Sequence, residues 1–265
     1  MRKALSAVAV LCCLVIWAPA QAAIDRKNLD QFNISIWKVR TAFHTYSVMM
    51  GDPRYLETLE EAIETGADLV DTLAQNAEGD EEVALMSELE PMWQDYQRLA
   101  ESNTVAELGY TDRYTVLDLD MLAVRMHELL EPRRADTSGE GEDLLLLASK
   151  IQRIASEYMA IAASPDGGGT VGTSEARLEF NVAVPEFDKL LTQVRSRYAD
   201  KELVSRTLDQ VASKWNFMRE SLIKFNENSV PFVVNRYTNS IVENLSFTAN
   251  TLGMEELAPP PIPGL

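Results

Sequence analysis

Cysteine is almost missing from this chain. Of 265 residues only Cys12 and Cys13 carry a thiol, and both lie in the apolar N-terminal stretch. From residue 23 onward a disulfide framework, thiolate chemistry, iron–sulfur ligation and cysteine-based zinc sites are excluded. Covalent haem needs Cys-x-x-Cys-His and falls with them. Histidine is nearly as scarce, with His44 and His127 the only two. A di-iron bundle needs Glu-x-x-His on facing helices, yet Thr41 and Val124 stand three residues before the two histidines. A lone histidine on an apolar helix reads as hydrogen-bonded or surface-lying, not as a ligand. No cofactor and no metal is expected.

Long hydrophobic runs are lacking as well. Past the first residues nothing approaches the roughly 18 uninterrupted apolar residues of a membrane span. Positive charge is in deficit, with 24 Lys and Arg against 41 Asp and Glu and a formal charge of −17. Removing the two charges of Arg2 and Lys3 leaves −19. Such a surface repels nucleic acid and anionic headgroups, so neither is expected as a partner. Nucleophile signatures are absent too. There is no Gly-x-Ser-x-Gly elbow, and the run Gly167-Gly168-Gly169 has no Lys-Ser/Thr after it to cradle phosphate. Glu78 to Glu82 lacks the ordered plan of a calcium loop. Asp118 and Asp120 stand two apart, point to different helix faces and read as solvated surface. No catalytic constellation emerges, and a non-enzymatic protein is expected.

What is present begins with a leader. Arg2 and Lys3, the apolar stretch from Ala4 to Trp17 and the small-x-small site Ala20-Gln21-Ala22 read as a secretory signal peptide, residues 1–22. Cleavage near Ala22 and export to a bacterial periplasm are expected, with no membrane insertion afterwards. Beyond it, apolar residues recur at spacings of three and four almost everywhere, the signature of helices packed on one face. Phe32, Ile36, Val39, Phe43 and Tyr46 form one such stripe; Val204, Leu208, Val211, Trp215 and Met218 form another. No strand pattern competes. Pro91 should kink the third helix or mark its start, and Pro185 should sit in a first turn.

A long-range repeat organises these helices. Trp93 is followed by Arg113-Tyr114-Thr115, and Trp215, at almost the same interval, by Arg236-Tyr237-Thr238. The flanking stripes match, with a Trp on the third helix and Arg-Tyr-Thr opening the fourth in each half. The spacing implies an internal duplication. It predicts an all-α protein of two tandem four-helix units, residues 23–136 and 137–256, set end to end or sharing long helices. The boundary falls in the Pro- and Gly-bearing stretch 132–142, and residues 257–265 form a Pro-rich disordered tail.

The repeated residues double as site candidates. Trp93 and Trp215 read first as core anchors and second as walls of a seam pocket. Arg113 and Arg236, like Arg40 on the first helix, read first as structural caps or bridges and second as bidentate anion contacts. Tyr114 and Tyr237 accompany them.

The segment Ile36-Trp37-Lys38-Val39-Arg40, the Trp215 helix and the run from Ser229 to Tyr237 are similar to PilJ-like helical modules. Those modules form the periplasmic part of type IV pilus chemotaxis transducers. The resemblance implies a sensing role. A periplasmic recognition protein is expected, binding a small, anionic ligand or a membrane sensor or envelope partner. The alternative is a structural or assembly factor of an envelope complex, working through protein–protein contacts.

Overall fold

The computed structural model describes residues 24–134, 139–164, 178–225, 227 and 229–257. The expected leader, the glycine run 167–169 and the Pro-rich stretch 258–265 lie outside them. Among the described residues the chain is all-α, with eight long helices, one single-turn helix and no strand. In chain order these are α1 (Arg26–Val48), α2 (Pro53–Asn76), α3 (Gly79–Glu101), the short α4 (Val105–Leu108) and α5 (Arg113–Leu130). A 3-10 turn, Glu131–Arg133, leads on to α6 (Glu142–Ala163), α7 (Phe180–Arg197), α8 (Glu202–Ile223) and α9 (Pro231–Leu257).

Local chemistry sets several of the helix starts. Asp25 and Asp112 accept backbone N–H bonds from Lys27 at 3.1 Å and Thr115 at 2.9 Å, each satisfying an orphan donor of the first turn. Asp52 does the same for Arg54, with Pro53 at the first helical position. Pro231 likewise opens α9, so Arg236 lies inside that helix, whereas Arg113 is the first residue of α5. The two Arg-Tyr-Thr triplets therefore do not occupy matched helix starts. Pro91 lies within α3 and Pro185 within α7, both past the first turn. Buried neighbours on each side, Leu89 with Trp93 and Val184 with Phe187, carry the helices through. That burial outweighs the roughly 3 kcal/mol helix penalty of proline.

The helices close into two rings. In the first, α1 packs on α2, α2 on α3, α3 on α5, and α5 returns to α1. In the second, α6 packs on α7, α7 on α8, α8 on α9, and α9 returns to α6. Each ring encloses its own apolar cluster, from Leu29 to Leu130 and from Leu144 to Leu252, with Ile34 of α1 reaching across into the second. The rings meet along α1 and α6, which pack on one another more extensively than any other helix pair. Gly141, at φ +84°, opens α6 and lies against Ala249 of α9. A side chain there would be strained and crowded at once.

Trp93 and Trp215 are both buried on the third long helix of their ring, Trp93 edge-on to Phe32 at 5.4 Å and Trp215 against Phe187 at 4.5 Å. Room for Trp93 depends on Gly66 of α2, where an added Cβ would overlap the indole and crowd Ser35 Oγ. Gly66→Ala should therefore destabilise the protein by about 1–3 kcal/mol in urea unfolding, despite the ~1 kcal/mol that alanine gains over glycine in a helix. A stabilised variant would show that Trp93 can move without cost.

Candidate functional site

The contact between α1 and α6 is more polar than a core seam of this kind requires. Buried polar side chains line α1 at Asn33, Arg40, Thr41 and His44, and face Asp120 and His127 of α5 and Ser149, Gln152 and Ser156 of α6. Their bonds form two connected groups. In the first, Arg40 clasps Asp120 with two bonds, Nε to Oδ1 at 2.7 Å and Nη2 to Oδ2 at 2.9 Å. It also donates to Ser156 Oγ at 3.1 Å and to Glu157 at 3.3 Å. His44 Nε2 lies 2.9 Å from Asp120 Oδ1. Gln152 donates to Thr41 Oγ1 at 2.8 Å alongside.

The electrostatics of this group are one-sided. Burial works to raise the pKa of Asp120, but Arg40 and then His44 outweigh it and hold the carboxyl well below its usual range. Burial likewise opposes the charge of Arg40, and Asp120 and Glu157 outweigh it. Every charge here has its counter-charge, and Asp120 is only 3 % exposed. The group ties α1, α5 and α6 together. Asp120, which reads as solvated in the sequence, is buried because α5 turns that face toward α1; Asp118 stays exposed.

The second group centres on His127. Its Nδ1 lies 2.8 Å from Asn33 Oδ1, and Asn33 Nδ2 donates to Ser149 Oγ at 2.5 Å. Arg153 of α6 donates from Nη1 to His127 Nε2 at 2.9 Å, so Nε2 is an acceptor and the proton sits on Nδ1. The ring is therefore neutral, and Glu131, 3.7 Å from Nε2, makes no ion pair with it. Burial, then the cations Arg153, Arg134 and Lys150, push the His127 pKa down to about 3. Trp37 lies edge-on to His127 at 5.3 Å, and its ring also meets the Arg153 guanidinium at 5.2 Å and that of Arg40 at 6.0 Å.

Arg153 differs from Arg40 in one respect. Among the described residues no carboxylate stands within ion-pair distance of it; its hydrogen bond goes to an uncharged imidazole. Burial accordingly lowers its pKa. Its guanidinium borders a cavity of about 130 Å³ between α5, α6 and α7. Lys150 and Arg153 supply cationic wall, Glu131 and Glu186 acidic wall, and Leu146, Ile154, Leu178 and Ala183 an apolar remainder. Lys150 and Glu186 are exposed, and neither has an ion pair among the described residues.

The residues singled out in the sequence do not converge on one place. Arg40 is consumed by Asp120 and Glu157 in the seam. Trp93 is sealed in the first core, and Trp215 in the second, where its indole N–H donates to Asp188 at 2.6 Å. Arg113 and Tyr114 project from the start of α5, Tyr114 76 % exposed. Arg236 is exposed on α9, and Tyr237 packs edge-on to Phe217 at 5.3 Å. Lys150 and Arg153 were missed. One signal pointed to them: two cations three apart on a helix otherwise rich in Leu, Ile and Ala. Among the described residues no group of three or more His, Cys, Asp or Glu is placed to hold a metal ion, and no helix is long and apolar enough to cross a membrane. Compared with known proteins, the chain matches no family model, no curated protein and no solved structure.

Two outcomes follow for stability. Asp120→Ala leaves Arg40 buried with its bidentate partner gone and should cost about 3–5 kcal/mol, while the double variant Arg40→Met/Asp120→Ala should cost less than the two single losses summed. Additive losses in that cycle would mean that the pair is not coupled. Acid is the second lever. Between the ordinary histidine value of 6.5 and about 3, the unfolded chain binds a proton that folded His127 refuses. This part of the stability is complete above 6.5 and is lost as pH falls, by up to ~1.4 kcal/mol per pH unit. Urea melts from pH 7 to pH 4 should show that slope, and His127→Gln should flatten it.

Proposed function

We propose that this protein is a non-enzymatic recognition module that holds a small ligand bearing a carboxylate or similar oxyanion in the cavity between α5, α6 and α7. The observation that carries this reading is Arg153, which has no carboxylate within ion-pair distance among the described residues. A guanidinium largely withdrawn from water without a counter-charge is costly, and proteins pair such groups unless a ligand does so. Arg153 is oriented by His127 and braced against Trp37, so its fork is pre-organised for a bidentate acceptor, with Lys150 adding charge at the rim. Perturbed charge lining a partly apolar cavity is the usual mark of a binding site.

The cavity spans both rings. His127 and Glu131 come from the first, and Lys150, Arg153 and Glu186 from the second. Occupancy would thus be felt at the seam through His127, Asn33 and Ser149, which agrees with a sensing role of the PilJ-like kind in an exported protein. The identical ring order of the two halves supports the duplication inferred from the Trp and Arg-Tyr-Thr spacing. A second reading, an assembly factor acting through protein contacts, draws on Phe217, Phe232 and Phe247, exposed on α8 and α9.

Thermal-shift measurements with acetate, propionate and phosphate test the first reading. A bound anion at a hundredfold its Kd should stabilise the protein by about 2.7 kcal/mol. Arg153→Met should abolish that gain. The same variant, freed of an unpaired charge, should be as stable as the parent without ligand or more so, by about 0.5–2 kcal/mol. Marked destabilisation of ligand-free Arg153→Met, with no anion effect on the parent, would make Arg153 a structural residue.

A further inference from the structure

A site built only for an anion has no use for carboxylates, yet this cavity has two. Glu186 of α7 borders it exposed and without an ion pair among the described residues. Glu131 joins it from the 3-10 turn, with one oxygen accepting from Arg134 at 2.8 Å. Neither Lys150 nor Arg153 forms an ion pair with Glu186, although all three line the same small space. Arg153 and Glu186 thus line one cavity with no ion pair between them, and Glu131 keeps one oxygen beyond its bond to Arg134.

We propose that the ligand is a zwitterion, a small α-amino acid. Its carboxylate meets Arg153 and Lys150, and its ammonium meets Glu186, with the second oxygen of Glu131 nearby. Its side chain lies on the apolar wall formed by Leu178, Ala183, Leu146 and Ile154. Size limits the choice. A cavity of about 150 Å³ admits a benzene-sized molecule of about six non-hydrogen atoms, and this one measures about 130 Å³. Glycine, alanine and serine fit that space; leucine and phenylalanine exceed it. A free carboxylate without an ammonium meets two repelling glutamates, and a free amine meets two repelling cations, so specificity arises by exclusion as well as attraction.

This assignment rests on the anion-site reading, and calorimetric titration of the full chain separates the two. The probes are alanine, propionate and ethylamine, with leucine as a size control, against the parent, Arg153→Gln and Glu186→Gln. Glu186 is exposed, so its neutral variant does not threaten the fold. Alanine should bind at least about tenfold more tightly than propionate or ethylamine, and leucine should bind no better than those two. Glu186→Gln should weaken alanine by about tenfold or more and leave propionate unchanged or tighter. Arg153→Gln should remove both. If propionate binds as well as alanine and Glu186→Gln changes neither, the zwitterion assignment is overturned while the anion site stands. If no carboxylate binds the parent, both fall together.

Discussion

The bidentate clasp of Arg40 on Asp120 is the interaction around which this structure is arranged. It joins α1 to α5 inside one ring, and through Ser156 and Glu157 it carries α1 onto α6 of the other. Two four-helix rings with separate apolar clusters need not adopt any one relative position, because apolar surface tolerates sliding. Buried hydrogen bonds do not, since a shift of one helical turn would leave each donor and acceptor unmet in a low-dielectric interior. The seam thus has a register, set by Asn33 with Ser149, Thr41 with Gln152 and Arg40 with Ser156, spaced along both helices. A polar seam of this sort adds specificity more than stability, since a well-packed apolar replacement is often at least as stable.

That register also creates the cavity. His127 reaches the seam from α5 and is held there by Asn33, which leaves its second nitrogen free to accept from Arg153. Arg153 therefore bonds to His127 of α5 and lies over Trp37, with no carboxylate among the described residues within ion-pair distance, in contrast to Arg40 one helix away. Two arginines beside Trp37, Arg40 buried and Arg153 half-buried, have opposite electrostatic situations. One completes the scaffold; the other has no carboxylate within ion-pair distance among the described residues. The neutral state of His127 follows from the same arrangement, because a charged imidazole would meet Arg153 head-on.

Much of the fold was legible in the sequence. The spacing of apolar residues identifies every long helix. Trp93 and Trp215 read correctly as core anchors, since a large apolar side chain on a regular stripe has few other places to go. Pro91 does not start α3 and Pro185 lies past the first turn of α7, because tertiary burial on both sides overrides a local penalty. The residues of the proposed site were the least legible. Arg40 and Arg153 look alike as cations on apolar helices, and nothing local separates a paired one from an unpaired one. Asp120 looked solvated because helical position gives an angle, not the neighbour that stands at that angle.

Composition and periodicity by themselves determined the helical class and the absence of cysteine chemistry past the N-terminal stretch. These are properties of short stretches, where burying an apolar stripe leaves a helix little choice. Only the tertiary structure decided that α1 lies on α6, that Asp120 neutralises Arg40, and that Arg153 faces a cavity with Lys150 and Glu186. Charge pairing is a matter of distances between segments far apart in the chain. Those distances exist only once the two rings have docked.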